Sequence, residues 1–268
     1  MDPHADDVLE RPAPPPDGTR PYAGEPAQVY DVRFPSSRPR TTSGGTSGRA
    51  GTVVVVHGGF WRASHDRSHA AAQAAGLAED GWHVAVGEYR RAGMPGGGWP
   101  GTFDDLAALV AAVDADPDLP GPLVLMGHSA GGQLVAWAAN QPWADRLSGV
   151  VVLAGCVDLQ ATDRLHLGAD AARDFLGDPA IEVDAWRAAD PMSELPPRVP
   201  VRLVHGGLDR EVPVSVTDAY VREARRLGGD VRLDVIPDAG HFSVIDPDSP
   251  AWPRVLAALD SLPLPGLR

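Results

Sequence analysis

Apolar residues along the chain fall into short continuous runs separated by longer stretches of helical periodicity. The runs are Thr52-Val53-Val54-Val55-Val56, Trp82-His83-Val84-Ala85-Val86-Gly87, Leu123-Val124-Leu125-Met126, residues 149–154, residues 201–205 and residues 231–236. Rich in β-branched residues, they read as strands buried on both faces. Helical patterns occupy about 67–80, 102–115, 133–139, 214–227 and 250–262. Buried strands alternating with amphipathic helices predict a mostly parallel central sheet with right-handed crossovers and helices on both faces. The segment 28–34 alternates like an edge strand, and the Ser/Gly/Thr stretch 41–51 reads as a flexible turn. Residues 1–26 are rich in Pro and Asp and read as an extended or disordered tail. A single α/β domain over 27–268 follows, with no internal repeat. The stretch 157–197 is too long for an ordinary loop and is expected to fold as a small helical cap.

Composition narrows the function. The 268 residues are 43% hydrophobic and 22% charged, enough for one large core. A net charge of −13 argues against nucleic acid or an anionic membrane as partner. Every basic residue apart from histidine is arginine, which removes a P-loop lysine, a Schiff-base lysine and a Ser-Lys dyad. The single cysteine, Cys156, precludes an intrachain disulfide. The N-terminus lacks the apolar core of a signal peptide, and no apolar run approaches membrane-spanning length. These features fit a soluble, cytoplasmic protein.

The chemistry centres on Gly127-His128-Ser129-Ala130-Gly131, a G-x-S-x-G sequence set between a buried strand and a helix. Such a turn lifts a serine hydroxyl clear of the backbone, and the helix N-terminus beneath aims free N–H groups at a developing oxyanion. A serine needs a base, and the base needs an acid to orient it. Parallel sheets present side chains past the carboxyl ends of their strands. Asp209 follows strand 201–205 and His241 follows strand 231–236, giving the order Ser129, Asp209, His241. Asp158, just past strand 149–154, and Asp238, close to His241 in sequence, remain alternative acids. After strand 52–56 stands His57-Gly58-Gly59-Phe60-Trp61, whose glycines free the backbone to turn its amides inward. The N–H groups of Gly59, Phe60 and Ala130 are the expected oxyanion donors.

Together these residues resemble the α/β-hydrolase fold over roughly 27–262. His57-Gly58-Gly59-Phe60-Trp61 matches the H-G-G-x-W signature of kynurenine formamidases (arylformamidases) and is similar to the H-G-G-G loop of hormone-sensitive-lipase-like esterases. The elbow Gly127–Gly132 resembles that of both groups. The resemblance implies Ser129 as nucleophile, Asp209 as acid, His241 as base, and Gly59, Phe60 and Ala130 as oxyanion donors. Phe60 stands where the esterases carry a third glycine, and Trp61 completes the formamidase form.

Other residues carry weaker signals. His65 and His69 have the i, i+4 spacing of a metal pair without a third ligand, and read as a solvated helix start, so no metal or other cofactor is expected. His57 reads as orienting the oxyanion loop, and Cys156 as an inert buried thiol. Trp61, Trp99 and His128 are candidate pocket residues. The loop tryptophans Trp61, Trp99 and Trp186 suit an aromatic pocket or the filling beneath the cap equally well. Arg90-Arg91 reads as a surface pair, with carboxylate recognition the alternative. The expectation is therefore a cofactor-free serine hydrolase, acting as a carboxylesterase on a small ester. Hydrolysis of N-formyl aryl amides, or of another amide, comes second, and a silent fold that only binds a small ligand is the reading from another class. A peptidase is disfavoured, because this stretch shows no large extra domain of the kind that gates peptide entry.

Overall fold

The computed structural model describes residues 7–36 and 51–264. The Ser/Gly/Thr turn expected at 41–51 lies outside them except for Gly51. Among the described residues eight strands form one sheet: β1 (Gly18–Pro21), β2 (Val29–Arg33), β3 (Thr52–Val56), β4 (His83–Gly87), β5 (Leu123–His128), β6 (Leu147–Leu153), β7 (Val201–Gly206) and β8 (Val231–Ile236). Their spatial order is β1-β2-β4-β3-β5-β6-β7-β8. From β4 through β8 all neighbours run parallel, while β1 and β2 are antiparallel additions at one side. Among the described residues the helices are α1 (Asp7–Glu10), α2 (Ala71–Glu79), α3 (Gly101–Asp114), α4 (Ala130–Ala138), α5 (Leu159–Arg164), α6 (Ala171–Leu176), α7 (Val183–Ala189), α8 (Val214–Arg226) and α9 (Trp252–Asp260). This is the α/β-hydrolase architecture, and none of its helices is long and apolar enough to cross a membrane.

The two-sided burial explains the unbroken apolar runs. Successive side chains of a strand point to opposite faces. Val54, Val56, Leu125, Val150, Val152 and Leu203 join one core with Leu109 of α3, Leu134 of α4 and Tyr220 of α8. Their neighbours Val53, Val55, Val124, Met126, Val151 and Val204 join a second core with Leu77 of α2 and Val255 and Leu259 of α9. A polar residue at any of these positions would lie in one core or the other. The stretch 157–197 folds as the expected cap, with α5, α6, α7 and a 3-10 turn at Pro191–Glu194. Its Phe175, Leu176 and Trp186 are buried in the first core rather than forming one of their own.

Two expectations are corrected. Segment 28–34 is not the edge, because β1 pairs outside β2 with Gly18 opposite Val32 and Pro21 opposite Val29. The edge strand Gly18-Thr19-Arg20-Pro21 is short, polar and closed by proline, which suits an edge but leaves no hydrophobic signal. The N-terminal segment, within the described residues, is not a disordered tail. Val8 is buried in the second core, and Arg11 forks onto Asp246 with contacts of 2.6 and 3.0 Å. Further along, Arg20 pairs with Asp116 and, at 2.7 Å, with Asp118. Tethering by single apolar and arginine side chains holds the segment where composition alone suggests solvation.

Leu125 lies fully buried on β5 between β3 and β6. Leu125→Ala should lower the free energy of unfolding by about 2–5 kcal/mol, measured by urea denaturation. An unchanged midpoint would contradict this placement.

Candidate active site

Strand β5 ends at His128 and helix α4 begins at Ala130, so the chain reverses within Ser129 alone. Ser129 takes φ 54° and ψ −116°, a conformation that a residue with a Cβ adopts only when its surroundings enforce it. The enforcement is close backbone packing. A Cβ on Gly131 would lie 2.1 Å from the Val56 carbonyl oxygen, and one on Gly127 would lie 2.1 Å from that of Gly131. Only glycine lets α4 pass this near to β3 and to its own strand. The Ser129 N–H donates to the Leu153 carbonyl at 2.9 Å, and its carbonyl accepts from Cys156 N–H at 3.2 Å, fixing the turn to the end of β6.

His241 lies on the loop after β8 and borders the same cavity as Ser129. Its Nδ1 donates to Asp209 Oδ2 at 2.7 Å. The Asp209 side chain is fully buried. A buried carboxylate must be compensated by donors, and here several converge. Asp209 Oδ1 accepts from the N–H groups of Glu211 at 2.9 Å and Val212 at 2.8 Å, while His205 Nε2 stands 3.1 Å from Oδ2. The same Nε2 lies 2.9 Å from the Val212 carbonyl. Two acceptors at one nitrogen require it to carry the proton, and Nδ1 meets the Thr217 hydroxyl at 2.8 Å. Burial alone would raise the Asp209 pKa, but the hydrogen bonds from His205 and His241 outweigh it and hold the carboxyl well below its ordinary range. The alternative acids stand elsewhere. Asp158 caps α5 by accepting from Ala161 N–H at 2.7 Å, and Asp238 is exposed.

The loop after β3 passes directly over the serine. A Cβ on Gly58 would stand 3.1 Å from Ser129 Cβ. Gly59, Phe60 and Trp61 follow with φ of 105°, 49° and 55°, three left-handed residues in succession. Buried partners hold this strain. His57 Nδ1–H donates to the Gly58 carbonyl at 2.8 Å, its Nε2 lies 3.1 Å from Glu88 Oε1, and its ring stacks on Tyr89. The Tyr89 hydroxyl donates to the His57 carbonyl at 2.8 Å. Trp61 is fully buried; its ring stacks on Phe175 of the cap and its Nε1–H donates to Gln133 of α4 at 3.0 Å. Gln133 in turn donates to the Ala189 carbonyl at 2.8 Å, linking elbow helix, loop and cap. Among the described residues, no acceptor takes the N–H of Gly59, Phe60 or Ala130.

The cavity over Ser129 measures about 180 Å³. Of the candidate pocket residues His128 borders it, as do Gly59 and Phe60, whereas Trp61 and Trp99 do not. Trp61 and, from helix α7 of the cap, Trp186 are buried in the first core, and Trp99 packs at 5.0 Å on Phe103, partly exposed. The tryptophans are therefore interface filling. His65 and His69 correct a second expectation, since they stand half-buried on the cavity wall rather than in solvent. Burial holds both imidazoles below their usual range. No cluster of metal-binding side chains occurs among the described residues. Arg90 and Arg91 are not a free surface pair, because Arg90 forks onto buried Asp105 and Arg91 pairs with buried Glu88. Burial pushes the Cys156 thiol up to about 12, so it stays protonated at neutral pH. As the variable position of the elbow, His128 carried no signal beyond the pocket, yet its Nε2–H donates to the His241 carbonyl at 3.0 Å. Burial, aided by neighbouring His241, keeps the His128 ring neutral. His205 had a faint signal in standing four residues ahead of Asp209, whereas Leu9, which also lines the cavity, had none.

Comparison with known proteins places this arrangement. The model of the prolyl oligopeptidase family matches residues 98–256, which hold the elbow, Asp209 and His241. Among solved structures, a putative thioesterase from Silicibacter is 26% identical, with 87% of this chain and 84% of that one covered and a TM-score of 0.64. A truncated carbohydrate esterase from gut microbiota is similar at 18% identity over 97% and 99% of the two chains, with a TM-score of 0.72. Esterase B from Lactobacillus rhamnosis is similar at 18% identity over 93% and 86%, with a TM-score of 0.73. The last two likenesses are of fold.

The depressed Asp209 pKa carries a stability consequence. A carboxyl lowered on folding contributes stability that is present above its unfolded value and lost as pH falls towards the folded one. The stability advantage over Asp209→Asn should therefore be full at pH 7 and shrink once pH drops below about 4. Urea denaturation of both proteins from pH 7 to pH 3 measures it, and a constant gap would mean that no such depression exists.

Proposed function

The chain belongs to the prolyl oligopeptidase family, and on that footing we propose that it is a serine hydrolase that cleaves small esters through an acyl-enzyme. The observation that carries the reading is the 2.7 Å contact of His241 Nδ1 with buried Asp209, beside a serine held at φ 54° on the same cavity. With Nδ1–H committed to Asp209, the lone pair of His241 Nε2 is the base. It takes the Ser129 proton as Oγ attacks the carbonyl carbon. The tetrahedral oxyanion forms against the N–H groups of Gly59, Phe60 and Ala130, each donor worth about 3–4 kcal/mol of barrier in comparable sites. His241 then protonates the leaving alcohol, and water repeats the sequence to release the acid and regenerate Ser129. Asp209, held by four donors, orients His241 and stabilises the imidazolium without taking its proton.

Esters are favoured over peptides by space. About 180 Å³ lies below the usual range of roughly 300–1,000 Å³ for ligand sites, which suits a short acyl group better than an extended chain. The names of the similar solved proteins, esterases and a putative thioesterase, point the same way. Hydrolysis of N-formyl aryl amides is the second reading, resting on Gly58-Gly59-Phe60-Trp61 and on a cavity in which a formyl group fits. It is weakened because Trp61, the residue completing that motif, faces Phe175 instead of the cavity.

The test is a side-by-side assay on p-nitrophenyl acetate, p-nitrophenyl octanoate, N-formylkynurenine and a prolyl-peptide p-nitroanilide, with Ser129→Ala as control. Turnover of the short ester should lead and should fall by about 10⁴-fold or more in Ser129→Ala. Asp209→Asn should lose about 10⁴-fold in kcat with the fold retained. A lead for the formamide or the anilide would replace the ester reading. Absence of both turnover and fluorophosphonate labelling at Ser129 would leave a ligand-binding protein.

A further inference from the structure

We propose that the N-terminal strap forms the acyl-binding wall of the catalytic cavity and that Leu9 sets the length of acyl chain accepted. The proposal rests on the serine-hydrolase reading above. Four apolar side chains border the cavity on one side: Leu9 from α1, Ala70 from the 3-10 turn before α2, and Phe242 and Ile245 from the segment after the base. Ala70 and Ile245 belong to the second core, and Leu9 and Phe242 pack against that core. Phe60, the other large apolar side chain on the cavity, packs against the first core, so the apolar lining divides between the two. Besides Ser129, His128 and His241, the polar groups His57, His65, His69 and Gln73 line the cavity, with Glu211 exposed on the loop of the acid.

The chemistry of the wall selects its occupant. Leu9, Ala70, Phe242 and Ile245 offer no side-chain donor or acceptor, so the group laid against them is a hydrocarbon chain. Polar or hydroxylated acyl groups would lose their hydration there without compensation. The wall is also fixed in place. Val8, next to Leu9, is 2% exposed within the second core. Arg11 forks onto buried Asp246, one residue beyond Ile245, and also reaches Asp248 at 3.0 Å. Strap and base loop are thereby held to one another, and Leu9 is positioned relative to His241 through a short path. Leu9 itself is half-buried and belongs to a four-residue helix, so changing its size alters the cavity more than the fold.

The experiment uses the full chain with Leu9→Ala and Leu9→Trp, measuring kcat/KM on p-nitrophenyl acetate, butyrate and octanoate. Thermal melting and fluorophosphonate labelling of Ser129 establish that each variant is folded and competent. Leu9→Ala should raise the octanoate-to-acetate ratio by about tenfold, and Leu9→Trp should lower the butyrate-to-acetate ratio by a similar factor, the scale of small hydrophobic changes in specificity pockets. Ratios within twofold of the parent in folded, labelled variants would overturn the acyl wall while leaving the esterase reading intact. If Leu9→Trp does not fold, Leu9→Ala alone decides between these outcomes. A parent inert on all three esters would instead overturn the esterase reading and the wall with it.

Discussion

The contact on which the rest of the structure depends is the approach of helix α4 to strands β3 and β5 across Gly127 and Gly131. Only bare backbone fits there, with a Gly131 Cβ falling 2.1 Å from the Val56 carbonyl. That closeness forces Ser129 through φ 54° and leaves its hydroxyl at the top of the sheet. It also brings the N-terminus of α4 beside the loop that leaves β3. The proposed nucleophile and both proposed sources of oxyanion donors thus follow from a single packing constraint. The strain at Ser129, Phe60 and Trp61 persists because buried groups over-determine it. Trp61 bonded to Gln133, and Gln133 bonded to Ala189, tie elbow, loop and cap into one unit.

The central sheet was legible because two-sided burial writes itself as unbroken β-branched runs, of which Val53 to Val56 is the clearest case. The placement of Ser129, Asp209 and His241 near one another was legible for a related reason. Each lies immediately past a buried strand, where a parallel sheet gathers its chemistry. The features that escaped have no periodicity to betray them. Strand β1 is short, polar and ends in proline. Leu9 is one apolar residue beside a proline-rich stretch, and its place on the cavity depends on the long-range fork of Arg11 onto Asp246. Trp61 was open between pocket and cap filling because it sits next to Gly58 and Gly59, and a left-handed backbone turns its ring into the core. His65 and His69 misled, since polar residues at a helix start ordinarily face water.

Electrostatics complete the account of how these parts act together. The surroundings of Ser129 are rich in titratable groups, but few carry charge. His128 is kept neutral by burial, and the Cys156 thiol stays protonated for the same reason. His205 holds its Nε2–H between the Val212 carbonyl and the Asp209 carboxylate. Asp209 remains, a buried carboxylate whose charge is retained by four donors rather than removed by protonation. In the mechanism proposed above, an imidazolium forming at His241 would meet the Asp209 carboxylate at 2.7 Å and the neutral His128 ring beside it. In a low-dielectric site that pairing is stronger than in water and needs no reorganisation when the proton arrives. His128 fills space and holds the His241 backbone in place without adding a like charge that would oppose the proposed proton transfer. Replacing neutral His128 with a permanently charged residue would set a cation against the imidazolium, which is why an aromatic ring able to donate one hydrogen bond to the His241 carbonyl suits that position.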